Sequence, residues 1–517
     1  MALQRHQADL EPGQLALVGL LVHHRADWAG AAPVSRLVRC SRAGEDAAMR
    51  YLGPVLVTLI VLAGAAAAGW VVLTRNPDGL SLRDLGQTAG EAYVFGYPLV
   101  LMEETRAVML ARLEAEGAVG PGAGGINTLH HRRDLPGAED DSVVRPNLDT
   151  LYTIAWLDLS MGPAVLRWPD MGDRYWLLQV LDGWTDVAGS PGSRTAGSGP
   201  GLAFITGPGW DGPGLPGAVH VRSSTSMAWL IGRIEVAPGE DFAPVHALQD
   251  AISLTAAPPS GAVRPGDAGQ RPPDTVEALA AYDYFTRLAA LMAQNPARAQ
   301  DAEMTARLAA LGVDPQTGAL DWRGHGLLAR RVMGRGVAVA RARLAEADRQ
   351  PPGPQGWRTL TQGLGEYGTN YALRAGVAHI GLGANLAADA IYPNTTRDSA
   401  GRPLTGDHVY TLRFEPGAWP PADAFWSVTL YDAHGFLPHG VDGRHALGDR
   451  DGLAADADGG LTLWIAPERP ADAPDSNWLP APAGAPFALT ARLYAPREAA
   501  LSGAWIMPGV ERGPASR

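Results

Sequence analysis

The residues best suited to chemistry lie in two polar runs, each at the end of an apolar segment. Arg145, Asn147 and Asp149 precede the segment TLYTIAWLDL, and Tyr152 lies inside it. The second run follows the segment YWLLQVL and contains Asp182, Trp184, Asp186 and Arg194. Loops at one end of a β-sandwich lie near each other, so the two runs could meet.

Two carboxylates beside arginine and tyrosine suit acid–base chemistry on a neutral polar substrate. In that interpretation Asp149 and Asp182 act as acid and base, and Tyr152 donates a hydrogen bond. The substrate would be held by the remaining polar and aromatic residues of the two runs, namely Arg145, Asn147, Trp184, Asp186 and Arg194. A structural alternative stays open, because Asn and Asp before a strand commonly hydrogen-bond to nearby backbone and form turns.

Two later segments add substrate-contact candidates. Tyr431 closes the segment FWSVTLYD, and Trp478 precedes the last apolar segment, where it either stacks on a sugar ring or fills the core. The loop after Tyr431 carries His434, His439 and His445, but without an HExxH or HxH spacing. These histidines are expected to face solvent, so no metal site is predicted.

The run 449–460 contains two D-x-D-G elements, whose oxygen atoms have a spacing that can bind calcium. The closing glutamate of a complete calcium loop is missing. A hairpin turn before the segment LTLWIA is therefore the preferred interpretation.

Several absences exclude whole classes of protein. All 42 basic residues are arginine, which removes Schiff-base, pyridoxal phosphate and P-loop lysine chemistry. Cys40 is the single cysteine, so internal disulfides and multi-cysteine metal sites are excluded. No G-x-S-x-G elbow is present, and no G-x-G-x-x-G motif leads from a strand into a helix, as a dinucleotide-binding fold requires. The net charge of −12 disfavours nucleic acid. The sequence therefore predicts neither a cofactor nor a nucleic-acid partner.

The N-terminus contains one apolar segment long enough to span a bilayer. Residues 52–73 form 22 uncharged positions between Arg50 and Arg75. Residues 1–48 are interpreted as a doubtful extension and 49–75 as a signal anchor or signal peptide, with the anchor favoured. The rest of the chain is then expected on the periplasmic or outer side of the inner membrane, or in the periplasm if the signal is cleaved.

The remaining pattern predicts an α+β, mainly β fold behind this N-terminal helix. Short apolar segments between turn residues indicate two antiparallel β-sandwich, jelly-roll-like domains joined by helices. The predicted parts are a helical lead-in at 80–116, a sandwich at 126–255, a helical connector at 274–350, and a helix plus sandwich at 359–510.

Long motifs in both halves resemble a known domain pair. RPNLDTLYTIAWLDLSMGP, RYWLLQVLDGWTDVAGSPGSRTAG and ITGPGW resemble the domain of unknown function 1254. RAGVAHIGLGANLAADAIYPNTTRDSAGRPLTGDHVYTLRF, FWSVTLYD, NWLPAP and FALTARLYAP resemble its usual partner, the domain of unknown function 1214. The resemblance spans about 88–510 and implies two β-sandwich units, often exported in bacteria. It implies little about activity, and likeness to glycan-acting jelly rolls is a fold-level analogy.

Three functions remain open from the sequence. The first is an exported hydrolase or lyase that acts on a carbohydrate-like or cell-envelope substrate. The second is a non-catalytic protein that binds a small molecule or glycan outside the cytoplasm. The third is a structural or assembly subunit, which would use an exposed apolar patch rather than the polar runs. The oligomeric state is not predicted.

Overall fold

The computed structural model describes residues 38–120, 124–139, 144–237, 239, 242–261, 263–346, 353–441 and 443–515. The chain divides into two units, Met1–Val72 and Leu73–Arg517. Helix α1, Val38–Thr74, contains the apolar stretch Pro54–Thr74, none of which is buried. This helix is long and apolar enough to be a signal anchor or a membrane span. Residues 1–37 of the doubtful extension lie outside the described residues.

The first half of the larger unit begins with helix α2, Leu82–Ala115, and continues as two β-sheets. The first sheet has the order β1-β2-β8-β4-β5, and the second has the order β7-β6-β3-β9. The strands are β1 His130–His131, β2 Thr150–Asp158, β3 Ala164–Trp168, β4 Trp176–Asp182, β5 Val187–Gly189, β6 Gly201–Thr206, β7 Val219–Arg222, β8 Met227–Glu235 and β9 Ser253–Thr255. Short helices α3, Ser193–Ala196, and α4, Ala243–Ala251, lie between strands.

The first sheet is covered on both faces. Alternate residues of β2, such as Leu151 and Leu157, share one apolar cluster with Leu166 and Ile205 of the second sheet. The residues between them point the other way, because side chains alternate along a strand. Trp156 belongs to this other face and lies in a second apolar cluster.

That second face packs against a layer of helices. Helix α2 is joined there by α5 Pro272–Ala278, α6 Ala281–Gln294, α7 Ala302–Ala309, α8 Leu327–Ala345 and α9 Tyr371–Gly381, with the short pair β10 Val313–Asp314 and β11 Ala319–Leu320. The rings of Trp156 and Trp229 stack at 4.8 Å beneath this layer. The predicted connector is thus a cover for the first sheet.

The last part of the chain forms two more sheets. The third has the order β12-β19-β15-β16, with β13 also paired to β19, and the fourth has the order β18-β17-β14-β20. The strands are β12 Ala390–Ile391, β13 Asn394–Thr395, β14 His408–Phe414, β15 Ala422–Asp432, β16 Ala446–Gly448, β17 Leu461–Ala466, β18 Trp478–Pro480, β19 Phe487–Pro496 and β20 Val510–Ala515; helix α10 is Glu498–Leu501. Residues of both sheets share one apolar cluster.

The fold is mixed α/β with antiparallel sheets, at about 32% helix and 25% strand. The mainly β expectation is therefore wrong, because the helical segments form a whole layer over the first sheet. The hairpin expected before β17 is also corrected. β16 and β17 belong to different sheets, so the turn between them links sheets instead of closing a hairpin.

The close approach of α2 and α8 generates a test. A Cβ on Gly336 would lie 1.9 Å from the Gly86 carbonyl oxygen, whereas a Cβ on Gly334 of the same helix meets nothing within 4 Å. We expect Gly336→Ala to lower the free energy of unfolding by about 2 kcal/mol through overpacking. Gly334→Ala should raise it by about 0.5–1 kcal/mol through helix propensity. Urea denaturation measures both, and equal effects would contradict this packing.

Candidate functional site

The first polar run lies at the contact with the third sheet. Asp149 is 3% exposed, and its Oδ1 accepts a hydrogen bond from Arg450 Nη2 at 2.7 Å. Its Oδ2 accepts from Ser427 Oγ at 2.8 Å and from the Tyr494 hydroxyl at 3.2 Å. Asn147 Oδ1 accepts from the same hydroxyl at 3.1 Å. Both oxygens of the Asp149 carboxylate therefore accept hydrogen bonds from residues of the C-terminal half.

Arg145 and Tyr431 belong to the same contact. The Tyr431 hydroxyl donates to the Pro146 carbonyl at 2.6 Å, and Arg492 Nη2 donates to the Arg145 carbonyl at 3.0 Å. Burial raises the pKa of Tyr431, although the neighbouring Arg492 lowers it in part. These interactions hold backbone in place.

The second polar run folds around Asp182. Its Oδ1 accepts from the backbone N–H groups of Trp184 at 2.9 Å and Asp186 at 3.0 Å, and its Oδ2 accepts from Ser224 Oγ at 2.5 Å. Burial, and then the negative charge of Asp186, raises the pKa of Asp182 to about 6. Asp186 in turn pairs with Arg298 at 2.5 Å. Asp182 thus organises its own loop.

The remaining candidates also make internal contacts. Trp184 is fully buried and donates its indole N–H to the Pro296 carbonyl at 3.1 Å. Arg194 Nε pairs with Asp389 Oδ1 at 2.7 Å. Trp478 is half-buried and donates to the Ala466 carbonyl at 2.9 Å.

The structure does not bring Asp149 and Asp182 together. Thr150, next to Asp149, pairs with Glu235 of β8, whereas Asp182 pairs with Ala228 of the same strand. Seven residues of strand separate these two positions, which corresponds to about 23 Å. The two carboxylates therefore do not meet. Strands β2 and β4 are both antiparallel to β8, so the start of β2 and the end of β4 lie at opposite ends of β8.

A different polar cluster lies on the helix-covered face of the first sheet. Arg233 of β8 is 7% exposed and lies 5.3 Å from the ring centre of its neighbour Tyr152. Its Nη2 donates to the Gly383 carbonyl at 3.2 Å, and Gln179 Nε2 of β4 donates to the same oxygen at 2.9 Å. Across the described residues, no carboxylate lies within ion-pair distance of Arg233, and its Nη1 has no hydrogen-bond partner.

Asn385 and Tyr392 complete this polar group. We name it the Arg233 cluster, and its members are Tyr152, Gln179, Arg233, Asn385 and Tyr392. Asn385 is fully buried, and its Oδ1 accepts from the Tyr392 hydroxyl at 3.0 Å. Within the described part of the chain, its Nδ2 and Gln179 Oε1 have no hydrogen-bond partner. Tyr152 and Tyr392 are half-buried. Such a group of buried, unpaired polar atoms can bind a small polar molecule.

Sequence reasoning identified Tyr152 but missed its partners. A signal was available, because Arg233 and Gln179 interrupt the apolar segments MAWLIGRIEV and YWLLQVL. A charged residue inside an apolar strand needs a specific environment. Asn385 had no comparable signal, since it lies in a loop.

No metal centre is found among the described residues, where no group of three or more metal-binding side chains occurs. His434 and His439 are exposed, and burial lowers the pKa of the half-buried His445. In the run 449–460, Asp456 and Asp458 pair with Arg413 at 2.5 and 2.6 Å. Arginine thus occupies the second pair of carboxylates considered for calcium, and the first pair, Asp449 and Asp451, accepts backbone N–H groups.

A separate groove of about 1350 Å³ lies between α2, α7 and α8. Its charged lining residues carry both signs and are Arg83, Glu91, Glu303, Arg307, Arg335, Arg343 and Glu346. Arg307 already pairs with Glu91. The groove therefore selects no particular ligand charge.

Comparisons with known proteins match both halves of the chain. Residues 126–256 match the family described as Protein of unknown function (DUF1254), and residues 389–498 match Protein of unknown function (DUF1214). The resemblance inferred from the sequence motifs is confirmed. No curated protein sequence matches this chain.

One solved structure shares the fold. The crystal structure of the VPA0106 protein from Vibrio parahaemolyticus is similar over 84% of this chain and 100% of its own, with 22% identity and a TM-score of 0.62. An uncharacterised protein from Burkholderia cenocepacia covers 84% of this chain and 95% of its own, with 15% identity and a TM-score of 0.41. The first similarity extends across both halves.

The buried contacts of Asp149 predict a structural effect. We expect Asp149→Asn to lower the free energy of unfolding by about 3 kcal/mol, because Arg450 loses a buried partner. The control is Asp423→Asn, whose pair with Arg497 is exposed and should contribute less than about 1 kcal/mol. Chemical denaturation compares them, and an unchanged stability of Asp149→Asn would contradict this assignment.

The raised pKa of Asp182 predicts a pH dependence of stability. The folded protein holds this proton up to about pH 6, whereas the unfolded chain releases it near the ordinary aspartate pKa of 3.8. The folded state therefore binds more protons in this window, and the contribution of Asp182 falls as the pH rises through it, by up to about 3 kcal/mol. Denaturation at pH 4.5 and 7.5 should show a larger loss in the native protein than in Asp182→Asn. Equal losses would contradict the shift.

Proposed function

We propose that this chain is a membrane-anchored protein that binds a small anionic ligand at the Arg233 cluster, on the outer side of the membrane. The observation that carries the proposal is a guanidinium that is 7% exposed and faces no carboxylate among the described residues. Removing a cation from water costs several kcal/mol, and proteins normally compensate with a paired anion. A bound anion would supply that compensation.

A second buried arginine gives an internal comparison. Arg374 is also fully buried, but Asp186 Oδ2 lies 3.7 Å from its Nη1, and the rings of Phe95, Trp184 and Tyr371 surround it at 5.2–5.4 Å. The chain thus provides an anion for Arg374. At Arg233 the chain provides one carbonyl oxygen and one aromatic ring.

The chemistry of the cluster favours a carboxylate or a similar oxyanion. A guanidinium is planar, always charged and matches such groups with parallel hydrogen bonds. Asn385 Nδ2 is a second donor, and Tyr152 and Tyr392 are half-buried. A binding role needs no acid–base pair. The hydrolase or lyase alternative has less support, because its two carboxylates lie at opposite ends of β8.

The proposal includes an uncleaved membrane anchor and a periplasmic position for the rest of the chain. The exposed apolar helix Pro54–Thr74 supports the anchor. A periplasmic position agrees with the lack of cysteine after Cys40. We also propose that the first and second sheets, and the third and fourth, form two sandwiches, since each pair shares an apolar cluster.

The unpaired charge predicts that Arg233→Met leaves the ligand-free protein at least as stable as the native chain, with a gain of up to about 2 kcal/mol. The matched control is Arg492→Met, which removes a buried arginine bonded to Thr429, Tyr431 and the Arg145 carbonyl. That change should cost about 3 kcal/mol or more. Urea denaturation measures both variants.

Binding itself is tested with acetate and inorganic phosphate as probes. We expect the melting temperature of the native protein to rise with the concentration of at least one of these anions at constant ionic strength. Arg233→Met should abolish the rise. The proposal would be overturned if the Arg233→Met variant were less stable than the native protein and its melting temperature still rose with the anion concentration to the same extent.

A further inference from the structure

We infer that the ligand of the Arg233 cluster is a small hydroxycarboxylate, in which a hydroxyl group neighbours the carboxylate. This inference rests on the proposed binding function and names its ligand class. It is carried by three buried polar atoms that have no hydrogen-bond partner among the described residues: Arg233 Nη1, Asn385 Nδ2 and Gln179 Oε1.

The three side chains lie around one segment of backbone. Arg233 Nη2 and Gln179 Nε2 both donate to the Gly383 carbonyl, at 3.2 and 2.9 Å. Asn385 follows Gly383 by two residues. Gln179 pairs with Ile231, which is two positions from Arg233, so both side chains point to the same face of the sheet.

The orientation of the Gln179 amide follows from its other contacts. Its Nε2 donates to the carbonyls of Gly383 and Ala384, so Oε1 is the atom left over. At Asn385 the Tyr392 hydroxyl is assigned as the donor to Oδ1, which leaves Nδ2. The vacant set therefore consists of two donors, Arg233 Nη1 and Asn385 Nδ2, and one acceptor, Gln179 Oε1.

A plain carboxylate satisfies only part of this set. Its oxygens accept from Arg233 and Asn385, but an ionised carboxylate has no proton for Gln179 Oε1. A hydroxyl on the adjacent carbon supplies that proton. A buried acceptor left without a donor weakens binding substantially, and sites built to bond a hydroxyl reject analogues that lack it. The preference for the hydroxylated acid is expected to be roughly 10-fold or more.

The test uses isothermal titration calorimetry of the full chain with glycolate, acetate, methoxyacetate and ethylene glycol. Glycolate should bind roughly 10-fold more tightly than acetate. Methoxyacetate keeps the oxygen but has no proton to donate, so it should bind no better than acetate. Ethylene glycol lacks the charge and should bind most weakly. This series compares ligands on the native protein and needs no variant to fold.

A variant assigns the preference to one side chain. Gln179→Leu should remove the preference, so that glycolate binds no more tightly than acetate, whereas Arg233→Met should abolish the binding of both acids. Circular dichroism and the melting temperature of each variant establish that it is folded.

The outcomes separate the two proposals. If acetate binds as tightly as glycolate and Arg233→Met abolishes both, the binding function stands and the hydroxycarboxylate inference is overturned. If neither acid binds at millimolar concentration, both are overturned, and ordered water then satisfies the three atoms. A glycolate preference that survives Gln179→Leu would overturn the role of that side chain in selecting the ligand.

Discussion

Burial of the first sheet on both faces is the constraint on which the rest of the structure depends. β8 is buried along almost its whole length, with the second sheet on one side and the helical layer on the other. Water does not satisfy polar groups in such a strand, so the chain or a ligand must do so. The tryptophans, isoleucines and leucines of the covered face meet this condition simply. Arg233 and Gln179 do not, because each keeps a buried polar atom without a hydrogen-bond partner among the described residues.

The C-terminal half completes this region rather than forming a separate module. It contributes Asn385 and Tyr392 to the Arg233 cluster, and the Gly383 carbonyl to which Arg233 and Gln179 donate. It also fixes the start of β2 through the bonds of Ser427 and Tyr494 to Asp149, and it receives Arg194 at Asp389. The candidate site contains residues from the first matched domain, from the segment that leads into the second, and from the start of the second, where Tyr392 lies. The polar runs that contain Asp149 and Arg194 bond the two halves of the chain to each other.

Most strands were predictable because their apolar residues alternate and turn residues separate them. The helices were predictable too, but their position over the first sheet was not, since periodicity identifies an apolar face without naming its partner. Asp149 and Asp182 illustrate a related limit. Both lie at strand ends, but only the strand order, with β8 between β2 and β4, shows that these ends are opposite. Arg233 was detectable as a charge inside an apolar segment, whereas its relation to Gly383 and Asn385 depends on contacts 150 residues apart in sequence.

The central claim is that Arg233 is a buried cation whose counter-ion comes from outside the chain. Its most direct test is a crystal structure of the protein grown with glycolate, at a resolution that distinguishes water from a carboxylate. We expect a flat, branched electron density between Arg233 Nη1 and Asn385 Nδ2, with the glycolate hydroxyl on Gln179 Oε1. A single water at that place, or a carboxylate of the chain itself against Arg233, would contradict it.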